Sequence, residues 1–321
     1  MRAFIALTRP LNLLIIVLTM VTMRYGLLRG LLWPDAHTLQ QDLPAFVALV
    51  LSTVLIAAAG NVINDYFDTR IDRINKPNDV IVGRTVKRRV AMAGHLVLSG
   101  VGLLLGAWAA WRAGSPRLAL IPAFAIGALW TYSTTFKRRL FIGNGLVATL
   151  TALVPLTVGL YEVPLLELRY APELLGSGVP VEATEGYFKL LWSGIVLYTV
   201  FAFATTLVRE LQKDMADVRG DEADGCRTVP IVLGMKWARA LVVFYSICIC
   251  MAAWFLYRRY LGDTLSFWVI TFGVIAPMLV SAWMSATATE REGHVLAGNV
   301  MKAAMVVAIA YAWLLGPILH A

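Results

Sequence analysis

The chain has 321 residues, of which 59% are hydrophobic and only 15% are charged, and its mean hydropathy is +0.71. About a quarter of the residues of a soluble domain are charged, so this composition excludes an ordinary soluble protein and indicates an integral membrane protein. The net charge is +8. In a membrane protein such a surplus reports orientation, because cytoplasmic loops collect Lys and Arg, and nucleic acid is not an expected partner.

Nine apolar segments are long enough to cross a membrane, which takes about 20 residues in a helix. In chain order they cover 11–29, 44–63, 91–111, 118–136, 142–161, 188–208, 239–257, 266–285 and 296–318. A barrel would instead show short segments of alternating hydrophobicity. We therefore predict an all-α polytopic bundle of nine transmembrane helices, in one domain that covers residues 1–321. The first segment is expected to be a retained span, since no small-residue cleavage site follows it.

Most of the 28 basic residues lie on one side of this arrangement, in the loops after the second, fourth, sixth and eighth segments and before the first. The longest loop on the opposite side, 162–187, is acidic. The positive-inside rule then places the basic loops in the cytoplasm. We expect an integral protein of the cell membrane, with a bacterial inner membrane as its location.

Two acidic clusters stand out in the cytoplasmic loops. The first, after the second segment, contains Asn64, Asp65, Asp68 and Asp72, and the second, after the sixth, contains Asp214, Asp217 and Asp221. Both sets of aspartates are spaced i, i+3, i+7, which puts three carboxylates on one stripe of a helix. The offset between the two clusters is the same for all three pairs. A single cluster of this kind is often a solvated helix end, but a matched pair favours a function.

Carboxylate and amide oxygens are the ligands that Mg²⁺ prefers, and it commonly bridges them to the phosphates of a substrate. The chain offers no competing metal or disulfide pattern, because its three cysteines and four histidines are scattered. We predict that Asn64, Asp65, Asp68, Asp72, Asp214, Asp217 and Asp221 bind Mg²⁺. Among them, Asp68, Asp72, Asp217 and Asp221 are the candidate catalytic residues.

Basic residues near these clusters suit a leaving diphosphate. Lys137 and Arg227 are the candidates, because cations can neutralise the charge that develops on a leaving group. A membrane cavity beside two such metal sites fits a substrate with a hydrocarbon tail and a diphosphate head. The aromatic side chains of Tyr66, Phe67 and Tyr132 could stabilise an allylic cation through their π faces.

These residues resemble the UbiA-type intramembrane prenyltransferase superfamily. Its first signature, N-D-x-x-D-x-x-x-D, is matched by Asn64, Asp65, Asp68 and Asp72, and its second, D-x-x-D-x-x-x-D, by Asp214, Asp217 and Asp221. The resemblance covers nearly the whole chain and extends to the stretch from Tyr132 to Lys137. It implies a helical bundle around a central cavity, capped by cytoplasmic loops, in which Mg²⁺ bridges the aspartates to a prenyl diphosphate.

Within that superfamily, the sequence from Arg209 to Asp221 is similar to the corresponding sequence in the branch of (di)geranylgeranylglyceryl phosphate synthases. The N-terminal run from Arg9 to Asn12 also suits that branch, and these two residues are candidates for binding the acceptor. Many relatives carry R-P-I-P-S-G after the first signature, whereas this chain reads D-V-I-V-G-R over 79–84. That loop covers the site, so the acceptor could be a glycerol-phosphate lipid precursor or an aromatic ring of quinone biosynthesis.

The resemblance thus implies Mg²⁺-dependent transfer of a polyprenyl group to a small polar or aromatic acceptor, with membrane lipid as surroundings. A divalent-cation transporter is the alternative from another class. A transporter places its ionisable residues near the middle of the bilayer. Here the acidic clusters lie at helix ends, which favours the enzyme, although Arg24 is a charge inside a predicted span.

Overall fold

The structure, a computed structural model, describes residues 2–32 and 37–320. Its helices in chain order are α1 Arg2–Leu7, α2 Pro10–Leu31, α3 Leu43–Phe67, α4 Thr69–Asn75, α5 Arg88–Arg112, α6 Leu120–Thr134, α7 Ile142–Gly176, α8 Val181–Ala223, α9 Val229–Val232, α10 Met235–Leu261, α11 Thr264–Thr287 and α12 Arg291–His320. In this part of the chain, extended pairing is limited to one bridge between Val82 and Val86. The prediction of an all-α membrane bundle is confirmed.

Within the described residues, eight helices are long and apolar enough to cross a membrane, not the nine that the sequence predicts: α2, α3, α5, α7, α8, α10, α11 and α12. The segment predicted over 118–136 forms α6, which has 15 residues after the one-turn 3₁₀ helix Pro116–Ala119. It nevertheless carries the chain from the Arg112 end of α5 back to the first acidic cluster, because Lys137, shortly after α6, contacts Asp68.

Two helices are much longer than the sequence predicts. Helix α7 continues to Gly176, with Pro155, Pro164 and Pro172 inside it, and α8 has 43 residues. Prolines are tolerated in such helices because neighbouring helices compensate for the lost backbone hydrogen bonds. The extension of α8 carries Asp214, Asp217 and Asp221 on a continuous helix, so the second acidic cluster is rigidly connected to the bundle.

A buried ion pair stabilises the end of the bundle far from the acidic clusters. Arg24, in a π-helical stretch of α2, donates from Nε to Glu162 Oε2 of α7 at 3.0 Å, and both side chains are buried. Glu162 Oε1 accepts the backbone N–H groups of Gln40 and Gln41, and the Arg24 guanidinium also donates to the Gln41 carbonyl oxygen. The charged residue inside the first predicted span therefore has a structural partner, which is what a charge in the membrane requires.

Candidate active site

The first acidic cluster lies where α3 gives way to α4. Asp68 is the junction residue, and its backbone N–H donates to the Asn64 carbonyl oxygen while its own carbonyl accepts from Asp72. The chain thus stays helical through the motif with only a local change of direction. Because of this, the i, i+3, i+7 spacing of the aspartates does place them along one stripe, as the sequence predicts.

Asp68 is the most buried residue of this cluster, at 5% exposure. Its Oδ2 accepts from Lys137 Nζ at 2.5 Å and from Asn64 Nδ2 at 2.7 Å. Burial is the largest single effect on the pKa of Lys137 and lowers it, but Asp68 and the other acidic groups nearby together outweigh burial and raise the pKa. Lys137 is therefore a firmly charged ammonium group held against the first motif, in the position predicted for a diphosphate-binding cation.

Arg9 is the second cation on this motif. Its Nη2 donates to Asp65 Oδ1 at 2.6 Å, and its backbone lies in the left-handed region at φ 54°. Non-glycine residues adopt this conformation at an energetic cost, and such residues are concentrated at functional sites. The turn directs the Arg9 guanidinium to the aspartates from the start of α2, next to Asn12.

Asp72 completes the first stripe, on the short helix α4. Lys76 Nζ lies 3.3 Å from Asp72 Oδ1, one helical turn later. Burial raises the pKa of Asp72 above its ordinary value, and Lys76 opposes this effect. A further cation bound next to Asp72 would therefore stabilise its ionised carboxylate.

The second cluster is held by polar side chains from other helices. Asn144, at the start of α7, donates from Nδ2 to Asp214 Oδ2 at 2.8 Å. Arg291, the first residue of α12, has Nη2 3.6 Å from Asp217 Oδ1. Asp221 is 3% exposed, and its Oδ1 has no hydrogen-bond partner. The second stripe therefore contains an uncompensated buried oxygen.

The Asn75 side chain joins the two clusters. Its Nδ2 donates to the carbonyl oxygen of Asp217 at 3.0 Å, and its Oδ1 accepts the backbone N–H of Gly220 at 2.9 Å. These bonds fix α4, which carries Asp72, against the end of α8, which carries Asp217 and Asp221. The two motifs, far apart in sequence, thus share one site as their matched spacing predicts.

Beneath the clusters lies a cavity of about 290 Å³ lined by α2, α3, α6, α7 and α8. Its mouth is polar, and its interior is mainly apolar. The mouth residues are Arg9, Asn12, Asn61, Asn64, Arg209, Glu210 and Lys213. On α3 the lining runs from Asn64 to Leu49, a length of about 22 Å at 1.5 Å per residue. Such a cavity can accept a long hydrocarbon tail with its head group at the acidic clusters.

The donor set of the two clusters suits Mg²⁺. All the candidate ligands are oxygens, and two buried ones, Asn64 Oδ1 and Asp221 Oδ1, lack a hydrogen-bond partner. No three carboxylates or other metal-binding side chains converge in residues 2–32 and 37–320. This is consistent with Mg²⁺, which is usually held by one or two carboxylates and completed by substrate phosphates and water.

The remaining predicted residues fall in different places. The Arg227 side chain is exposed, and its backbone N–H donates to the Arg138 carbonyl oxygen at 3.1 Å. Tyr132 lines the cavity near its mouth. Tyr66 instead packs under the guanidinium of Arg88, 4.1 Å from the ring centroid, and Phe67 lies edge-on to Trp130. Of the three aromatics, Tyr132 is the one that faces the hydrocarbon path.

Three polar residues of this site were not predicted: Asn75, Asn144 and Arg291. None belongs to a signature, and each reaches an aspartate motif only through the packing of separate helices. Asn144 and Arg291 lie in the first turns of their helices. A polar residue in the first turn of a helix is the one feature of the sequence that could have marked them as candidates for this site.

Comparison with known proteins decides between the functional classes. Residues 32–306 match the UbiA prenyltransferase family. The chain belongs to this family. A digeranylgeranylglyceryl phosphate synthase of Thermococcus gammatolerans is 32% identical to it over 79% of this chain and 77% of the relative. Another, of Methanosphaera stadtmanae, is 27% identical over 96% of this chain and 97% of the relative.

The fold of this UbiA prenyltransferase is also that of solved relatives. A UbiA homologue from Archaeoglobus fulgidus, bound to GPP and Mg²⁺, superimposes with a TM-score of 0.58 at 15% identity, covering 97% of this chain and 99% of the other. The family match over residues 32–306 confirms the sequence-based interpretation as a UbiA-type prenyltransferase. Family membership favours the enzyme over the divalent-cation transporter.

Proposed function

We propose that this UbiA prenyltransferase transfers a polyprenyl group of geranylgeranyl-like length from its diphosphate to a glycerol-phosphate lipid precursor. The observation that carries the donor half is the position of the two aspartate clusters at the mouth of a long apolar cavity. The branch resemblance and the names of the sequence relatives support the acceptor half. An aromatic acceptor is the competing outcome of the test below.

In this proposal Asn64, Asp65, Asp68, Asp72, Asp214, Asp217 and Asp221 hold Mg²⁺ and the donor diphosphate. When bound, Mg²⁺ supplies charge neutralisation for the leaving diphosphate. Lys137 Nζ lies 2.5 Å from Asp68 Oδ2 at the first motif, where its ammonium group would also bind an oxygen of the donor diphosphate. Arg9, on Asp65, can do the same, and Arg227 can approach from the surrounding loop.

The chain's own residues then direct the transfer. The C1–O bond of the donor breaks, and the diphosphate leaves with the electron pair, next to the ammonium and guanidinium groups at the mouth. The apolar lining excludes water from the allylic carbon, and the Tyr132 ring lies along the path of the tail. The acceptor hydroxyl oxygen attacks C1 to form an ether bond, and its proton passes to an oxygen of the departing diphosphate.

We also propose that residues 1–321 form one domain and that the motif loops are cytoplasmic. The basic residues around the motifs support this orientation through the positive-inside rule. A bacterial cell membrane stays a prediction from the sequence; the sequence relatives named above are archaeal.

Labelled geranylgeranyl diphosphate, offered with Mg²⁺ and a panel of glycerol-phosphate and aromatic acceptors, tests the proposal by mass spectrometry of the products. We expect a prenylated glycerol-phosphate lipid and no prenylated aromatic. Asp68→Ala and Asp217→Ala should abolish it, while Lys236→Ala, an exposed residue at the start of α10, should not. Turnover that survives in both aspartate variants, or a prenylated aromatic as the sole product, would overturn the proposal.

A further inference from the structure

One lysine beside the cavity mouth has no carboxylate partner among the described residues. Lys302 is on α12, eleven residues after Arg291, which is about 16 Å along the helix axis. It is half-buried, and its Nζ donates to Asn12 Oδ1 of α2 at 3.1 Å. Among the described residues it forms no ion pair, and a half-buried charge on a membrane-spanning helix is costly to keep without a function.

The charged neighbours of Lys302 leave it in a net positive environment. Those that act on it are Arg209, Arg9 and Glu210. Glu210 lies 2.9 Å from Arg209 Nη2 and 4.0 Å from Lys213 Nζ, so its charge is already shared. Arg9 is engaged by Asp65. Glu210 is thus the one carboxylate set against Arg209, Lys213 and Lys302, and an anion is the ligand that such a surplus of positive charge favours.

This positive site is distinct from the one that meets the donor diphosphate. In the described part of the chain, Lys302 forms no ion pair with any of the six motif aspartates. Lys137 and Lys76, in contrast, each contact a motif aspartate directly. Asn12 and Arg209 line the cavity mouth, so an anion bound between them and Lys302 lies at the same entrance as the donor.

We infer that Lys302 and Arg209 bind the phosphate monoester of the acceptor, with Asn12 positioning the Lys302 ammonium group. The inference rests on the proposed function, which calls for an acceptor with a hydroxyl group and a phosphate. A phosphate held here places the acceptor at the same cavity mouth as the donor diphosphate, where its hydroxyl can approach C1 of the donor. An aromatic or uncharged acceptor has no group that needs this lysine.

The decisive comparison uses two acceptors, a prenylated glyceryl phosphate and the same lipid without its phosphate. We expect the wild type to prefer the phosphate form. In Lys302→Met the KM for that form should rise roughly ten- to a hundredfold, as expected when a charged hydrogen-bond partner is removed. The KM for the prenyl diphosphate and the rate with the alcohol should not change. Lys302→Arg should retain the preference, and Lys236→Met serves as the matched control.

A second variant separates anion binding from a purely structural role. Asn12→Asp puts a carboxylate against Lys302, and the resulting ion pair neutralises the ammonium group. The preference for the phosphate form should therefore fall, although the contact between α2 and α12 is strengthened. A preference unchanged in both Lys302→Met and Asn12→Asp would overturn the inference.

Equilibrium binding without donor distinguishes this inference from the proposed function. If the wild type forms no product with either acceptor, the proposed function is wrong, and the binding measurement still decides the role of Lys302. Weaker binding of the phosphate lipid to Lys302→Met than to the wild type supports the site. Equal affinities overturn it.

Discussion

Gly220 and Asn75 are in such close contact that a side chain on the glycine has no room. The Gly220 backbone N–H donates to Asn75 Oδ1 at 2.9 Å, and a Cβ built on Gly220 would lie 2.5 Å from Asn75 Nδ2. The contact holds the helix with Asp72 against the helix with Asp217. The distance between the two aspartate motifs therefore depends on a residue that binds neither metal nor substrate.

Gly220→Ala should reduce prenyl transfer, because the added methyl group displaces Asn75 and with it α4. We expect a loss of about tenfold or more in kcat/KM with little loss of folded protein, since misplacement by about 1 Å can cost a hundredfold in rate. Steady-state kinetics with a labelled donor measures it. Gly186→Ala, on the same helix with open space around its Cβ, is the control.

A double variant tests the cause of that loss. Asn75→Ala removes the side chain that the Gly220 methyl group would meet, so the combined Asn75→Ala, Gly220→Ala enzyme should be no worse than Asn75→Ala alone. Independent effects would instead add. Additive losses would show that Gly220 acts through some other contact.

The sequence predicts that each set of three aspartates lies on one helical stretch, because their spacing is a local property of one helix face. The positive side of the site is harder to predict. Arg291 and Lys302 lie far along the chain from the residues they approach, and helix packing alone brings them there. Arg227 shows the opposite case, since it is close to the second motif in sequence but its side chain is exposed. The difference between nine predicted and eight observed long spans also lies beyond the composition. Composition indicates an apolar segment over 118–136, but it does not reveal that α6 within it is only 15 residues long.

Removal of divalent metal should leave the protein folded. Cations already face four of the aspartates: Arg9 on Asp65, Lys137 on Asp68, Lys76 on Asp72 and Arg291 on Asp217. We expect EDTA to leave the midpoint of thermal unfolding unchanged, and Mg²⁺ with inorganic pyrophosphate to raise it by several degrees. Binding at one hundred times the Kd stabilises by about 2.7 kcal/mol.

The same measurement on two variants assigns the shift to the site. Asp68→Asn and Asp217→Asn should each lose most of the stabilisation by Mg²⁺ with pyrophosphate. An equal shift from pyrophosphate without Mg²⁺ would mean that the cations bind it alone. Unfolding by EDTA would contradict the compensation of the aspartates by Arg and Lys.

The length of the apolar cavity should set the length of the donor. Thr53 lines the cavity on α3, about 16 Å from Asn64 along the helix. Thr53→Trp should block its deep end, so kcat/KM for a 20-carbon donor should fall about tenfold or more relative to a 10-carbon donor, in line with the cost of overfilling a pocket. Competition between the two donors, followed by product mass spectrometry, measures the ratio. Leu51→Trp, with a side chain 46% exposed on the outside of the same helix, should leave the ratio unchanged.

Glu162→Gln should separate stability from catalysis. The substitution leaves the buried Arg24 guanidinium without a charge partner, and loss of one partner of a buried pair costs about 3–5 kcal/mol. The pair is remote from the aspartates, so folded Glu162→Gln should keep the wild-type KM for the donor while unfolding at lower temperature. Glu185→Gln, which removes an exposed pair with Lys189, should change neither quantity. A large rise in donor KM with unchanged stability would mean that the far end of the bundle shapes the cavity, since α2 and α7 both line it.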